Sequence, residues 1–99
     1  MRLTTNQRTA IREEVTRIFG QNARVRLFGS RVDDEARGGD IDLHIESIGD
    51  AADLLDQELR LHAHLLRRLG ERRIDIVVHD GRSPLRAIDV QAQQTGVAL

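Results

Sequence analysis

Residues 40–46 read Asp-Ile-Asp-Leu-His-Ile-Glu. Ile41, Leu43 and Ile45 fall on one side of an extended chain, and Asp40, Asp42, His44 and Glu46 on the other. A period of two over seven residues is the mark of a strand buried on one face. It leaves little freedom of register, because a one-residue slip would turn every apolar side chain to water. A strand of this kind needs apolar cover on one face only. The rest of the chain can be read for what supplies that cover.

Two further stretches alternate. In residues 24–28, Val25 and Leu27 share one face, with Arg24, Arg26 and Phe28 on the other. In residues 73–79, Ile74, Ile76 and Val78 oppose Asp75, Val77 and His79. Between and around these runs the period changes to that of a helix. Thr4 with Gln7 three residues on has the form of a capping box. Ile11, Val15, Ile18 and Phe19 follow at helical spacing, and Gly20 is a natural stop. The longest helix is expected from Asp50 as N-cap to about residue 69. Leu54, Leu55, Leu59, Leu61, Leu65, Leu66 and Leu69 form its stripe, and Gly70 ends it. That stripe is wide enough to be the main cover of the sheet and to leave part of itself for a partner. Ser83-Pro84 reads as an N-cap followed by Pro at the first helical position, giving a last helix over 85–94. Ser30 can cap a short helix over 31–36, stopped by Arg37-Gly38-Gly39. The expected order is α-β-α-β-α-β-α. This implies an α/β (α+β) fold of two layers, with a short sheet of about three strands covered by helices, in one domain spanning 1–99. Strand order does not follow from the sequence.

Composition narrows the function classes. Only 2% of residues are aromatic, and there is no Tyr or Trp to stack bases. The formal net charge is −1, from 15 basic and 16 acidic residues, where a dedicated nucleic-acid binder would be more basic. Direct nucleic-acid binding is therefore not expected. The chain has no cysteine, which excludes thiolate metal sites and disulfides and fits a cytoplasmic location. Residues 1–9 are mostly polar and no apolar run approaches 18 residues, so neither a signal segment nor a membrane span is expected.

The chemistry-bearing residues lie at the ends of the alternating runs. Asp40 and Asp42, two apart on a strand, point to the same side. Asp75 lies on the polar face of the third strand. If both apolar faces pack on the same helices, the three carboxylates emerge together on the other side. Such a trio repels itself and calls for a cation. Mg²⁺, with its preference for a few carboxylates plus substrate phosphates, suits it. Gly29-Ser30 ends the first strand in a small polar turn that can hold phosphate on backbone N–H groups and the Ser30 hydroxyl, and Arg31 can neutralise phosphate charge.

Gly29-Ser30-Arg31, then Asp40-Ile41-Asp42-Leu43, then Ile74-Asp75-Ile76-Val77 resembles the DNA polymerase β nucleotidyltransferase superfamily. Within it the chain is most similar to the minimal nucleotidyltransferases, the MNT proteins, along nearly its whole length. The resemblance implies a palm-like mixed sheet, Mg²⁺, and transfer of AMP from ATP, a nucleoside triphosphate. It implies a phosphate-binding turn at Gly29 and Ser30 and metal-binding, catalytic carboxylates at Asp40, Asp42 and Asp75. It also implies a partner. Many MNT proteins are antitoxins paired in a hetero-oligomer with a HEPN-domain toxin, and those studied place AMP on a tyrosine hydroxyl of the toxin, a type VII-like arrangement. The loop of nine residues between Ser30 and Asp40 is one residue shorter than in many of them. Two other readings stand beside this one. The chain can mask a toxin without catalysis, or it can transfer a nucleotide to a small molecule, as the longer aminoglycoside nucleotidyltransferases do.

The remaining polar residues have plainer readings. His44 and His79 share strand faces with the carboxylates and read as solvent-facing strand histidines or as lining of the site. His62 and His64, two apart on a helix, diverge and cannot chelate one metal well. Arg67, Arg68, Arg72 and Arg73 read as favourable charge at a helix C-terminus, or as a contact for nucleotide or an acidic partner.

Overall fold

A computed structural model describes residues 3–29, 40–70 and 72–99. Ser30, Arg31, the expected helix over 31–36 and the Gly38-Gly39 turn lie outside the described residues. The elements run α1 (Thr5–Phe19), β1 (Arg24–Leu27), β2 (Ile41–Ser47), α2 (Ala51–Leu69), β3 (Ile74–Asp80), α3 (Ala87–Thr95) and β4 (Val97–Ala98). The strands form one mixed sheet in the order β3-β2-β1-β4. β1 is antiparallel to β2 and to β4, while β2 and β3 are parallel. The sheet thus has one strand more than the sequence announces. That fourth strand is two residues long and exists only through its pairing with β1.

The local signals act as their chemistry requires. At the start of α1, Gln7 N–H donates to Thr4 Oγ1 at 3.1 Å and Thr4 N–H donates to Gln7 Oε1 at 2.8 Å, satisfying two N–H groups that the helix leaves open. Gly20 and Gly70 end α1 and α2 at φ 97° and 84°, a region that side chains disfavour.

Ile11 and Val15 of α1 and Leu61 and Leu65 of α2 close over Ile41, Leu43 and Ile45 of β2, with Leu27 and Ile74 from the flanking strands. Each of these side chains removed from water contributes about 1.5–3 kcal/mol, so this one face carries most of the apolar stabilisation. Behind it, Glu14 of α1 is buried and accepts from Arg68 of α2 at 3.1 Å. Arg68 also approaches Glu13 at 3.0 Å, so one member of the basic cluster serves to join the two helices. Leu55 and Leu59 of the leucine stripe remain exposed.

The opposite face of the sheet is covered in part by α3, whose Asp89 and Ala92 are buried. This helix starts later than Ser83-Pro84 suggests. Residues 81–86 are held as a loop because the Ser83 and Pro84 carbonyls face His79 Nε2 at 3.0 and 3.2 Å. The cap falls instead on Arg86, whose N–H donates to Asp89 Oδ2 at 2.8 Å. Among the described residues no helix is long and apolar enough to cross a membrane.

Candidate active site

β2 and β3 carry the candidate residues, and their pairing decides which of them meet. Asp42 and Asp75 are register partners across the parallel pair. Directly opposed residues in a ladder project to the same face, so the two carboxylates leave the sheet side by side. Two like charges in that position repel each other. Asp40 precedes β2 by one residue and is half-buried. Asp75 is the open member of the set. Its side chain is 52% exposed and its Oδ2 lies 3.4 Å from Arg73 Nε.

The turn after β1 closes on the same place. Phe28 N–H donates to the Asp42 carbonyl at 3.0 Å, which brings Gly29 over the Asp42 side chain. Gly29 has φ 76°, and a Cβ built there would stand 2.8 Å from Asp42 Oδ2. Glycine is required twice over, for the left-handed backbone and for the space a carboxylate oxygen already takes. Of the sequence-derived site residues, the structure therefore joins Gly29, Asp42 and Asp75. Ser30 and Arg31 lie outside the described residues.

The site contains donors suited to a hard divalent cation. They are all carboxylate oxygens, and Gly29 keeps the approach to Asp42 clear of side-chain atoms. Among the described residues, no three His, Cys, Asp or Glu side chains stand close enough together to hold a metal ion. The carboxylates are adjacent in register without being drawn into a closed cluster, as expected of anions that repel.

Further along the same strands lies a second polar group, whose burial the sequence reading did not foresee. His44 and His79 are 1% and 3% exposed, so neither faces solvent. Their rings stack with centroids 6.4 Å apart, and Phe28 meets His44 edge-on. His44 Nε2–H donates to Asp89 Oδ1 at 2.7 Å. Asp89 also receives Arg86 Nε at 2.9 Å and Nη2 at 3.1 Å. Burial alone would push the Asp89 carboxyl up, but the Arg86 and His44 bonds outweigh it and hold it far below the usual carboxylate range. His79 Nδ1 lies 3.1 Å from Glu46 Oε1, its register partner. Histidines at polar strand positions gave no sign of this, because the cover of His44 comes from α3 through one buried aspartate, Asp89, 45 residues further along the chain.

Parallel strands that offer two adjacent carboxylates, a glycine turn closing on one of them and two helices behind the sheet make a domain of the nucleotidyl-transfer class. The chain belongs to the nucleotidyltransferase domain family, whose model matches residues 8–93. The match spans every described strand but β4 and includes Gly29, Asp40, Asp42 and Asp75. No curated protein matches the chain at a significant level.

Proposed function

We propose that this nucleotidyltransferase domain moves AMP from Mg-ATP to a hydroxyl, a tyrosine of a HEPN-domain toxin, and so acts as the antitoxin of a pair. The observation that carries the reading is the convergence of Gly29 on Asp42 with Asp75 opposite in register. Asp42 and Asp75, adjacent in register, are proposed to hold Mg²⁺, with Asp40, the residue just before β2, joining them when the ion binds. When bound, the ion offsets triphosphate charge and favours the ionised form of an attacking hydroxyl.

The chain's own residues supply the rest. Gly29 lets the nucleotide phosphates reach the backbone of the turn, where Ser30 and Arg31 are proposed to bind the outer phosphates. The acceptor oxygen forms a bond to the α-phosphorus, and the bond from that phosphorus to the bridging oxygen breaks. Pyrophosphate leaves, and Asp75, the more open carboxylate, takes the hydroxyl proton. An acceptor on a partner surface suits a site whose carboxylate is open to solvent rather than sunk in a pocket.

The test is to incubate the chain with α-labelled ATP, Mg²⁺ and the HEPN-type product of an adjacent gene. Label on a partner tyrosine is the expected result. No label under conditions where the two proteins bind defeats transfer. A second reading, masking of the toxin without transfer, draws on the Arg73–Asp75 ion pair, which already engages the third carboxylate. Under that reading an Asp42→Ala chain still protects cells from the toxin; under the first it does not.

A further inference from the structure

His79 is buried in β3 with an acceptor at each ring nitrogen. Nδ1 lies 3.1 Å from a carboxylate oxygen of Glu46, and Nε2 lies 3.0 Å from the Ser83 carbonyl and 3.2 Å from that of Pro84. A carbonyl can only accept, and so can an ionised carboxylate. A neutral imidazole has one N–H and can serve one side. Serving both takes two protons.

The charges around the ring favour that state. Glu46 faces it from β2, and Asp89 from α3 lies 3.9 Å from Nε2. Asp80 follows it on β3, and Glu58 of α2 lines the same groove. On the opposing side stand Arg86, which is spent on Asp89, Arg82, which is spent on Asp80, and the stacked ring of His44.

We infer that His79 is a doubly protonated buckle that straps residues 83–86, and with them the start of α3, to β2 and β3, and that the strap opens when the ring gives up one proton. Which bond breaks follows from the acceptors. Glu46 carries a full charge and makes the stronger, charge-assisted bond, so the last proton stays on Nδ1. Nε2 then turns a lone pair toward the Ser83 and Pro84 carbonyls, a buried and unsatisfied contact. Ser83, Pro84 and Arg86 of the released segment line the same groove as Leu54 and Leu55 of α2, so deprotonation reshapes that groove.

Burial is the largest single influence on the ring and pulls its pKa down. The bonds to Glu46, Pro84 and Ser83 and the charge of Asp89 together overcome it and raise the pKa above its ordinary 6.5. The strap is therefore closed at pH 6.5 and below and opens on the alkaline side.

The test uses the full ¹⁵N-labelled chain, with His79 assigned by its loss in His79→Gln. Long-range proton–nitrogen spectra at pH 6 should show both His79 ring nitrogens protonated, with a titration midpoint above 6.5. Amide hydrogen exchange in residues 83–90, corrected for intrinsic base catalysis, should quicken by about tenfold through the same midpoint. Glu46→Gln keeps the shape but removes the charge, and should lower the midpoint by about one pH unit or more. A neutral His79 at pH 6 overturns the inference. So does exchange that fails to follow the ring, or a midpoint unmoved in Glu46→Gln. If His79→Gln does not fold, the ring is assigned from the shift that Glu46→Gln produces in it alone.

Discussion

The two ends of one polar face on β2 and β3 follow opposite electrostatic rules. At one end Asp42 stands opposite Asp75, like charge against like. Four residues on, Glu46 stands opposite His79, and the pair is joined at 3.1 Å. The strands, the face and the ladder are the same. The carboxylate end is left partly open, and its two register partners repel each other. The histidine end lies under α3 and the 81–86 loop, where Asp89, Glu46 and both nitrogens of His79 are hydrogen-bonded and His44 Nδ1 is buried with no partner among the described residues. This contrast between a repelling end and a largely paired one is what the proposed metal-binding role of Asp42 and Asp75 rests on.

The sharpest way to break this comparison is Asp42→Ala. Transfer should fall by about four orders of magnitude, the ~5.5 kcal/mol expected when a group acting on the reacting phosphate is removed. Thermal melting should move far less than transfer, because the substitution leaves β2 and its pairing with β1 and β3 in place. A radiolabel transfer assay beside a melting curve checks both halves.

Asp89→Ala should do the reverse. It strands the buried His44 N–H and takes the Arg86 bonds to Asp89 with it, leaving Arg86 held by the Val78 carbonyl, and should cost about 3 kcal/mol in denaturant unfolding. Gly29→Ala comes next. It forces a side chain into a left-handed backbone and against the Asp42 oxygen, costing about 1–3 kcal/mol of stability together with a drop in transfer.

The pH dependence of unfolding should divide between the two groups of the paired end. Asp89 titrates lower in the fold than its ordinary 3.8, so its contribution is complete above that pH and is lost as acid protonates the folded chain. His79 titrates higher in the fold than 6.5, so its contribution is complete below 6.5 and is lost as pH rises through the raised value. Urea midpoints measured from pH 3 to 9 should fall off on both sides. A loss confined to the acid side contradicts a cationic His79. The smallest effect on stability is Asp75→Asn, which trades the repulsion with Asp42 against the charge that faces Arg73 and should leave stability within about 1 kcal/mol while transfer is lost. A larger loss of stability would mean that the open end is also built for stability.

Much of this was legible in the chain because the deciding interactions are local. The alternation at 40–46 fixed the face of Asp42, and that at 73–79 the face of Asp75. The Thr4–Gln7 box and the glycines at 20 and 70 marked helix ends by chemistry confined to a few residues. What could not be read depends on partners far along the chain. Ser83-Pro84 carries a sound helix-start signal, yet His79 takes both carbonyls and delays the helix to Ala87. His44 and His79 sit at polar strand positions and are buried all the same, because Asp89 comes down on them from α3. Strand order, and with it the register of Asp42 against Asp75, is a property of the crossover through α2 and is written in no single stretch.

The closeness of position 29 to the Asp42 carboxylate has a consequence for anyone randomising this chain. In a saturation library the position should tolerate no replacement, although glycine has no side chain to lose. Its intolerance reports the location of another residue's oxygen, so a survey that ranks positions by the chemistry of their own side chains would pass over the turn that defines the site.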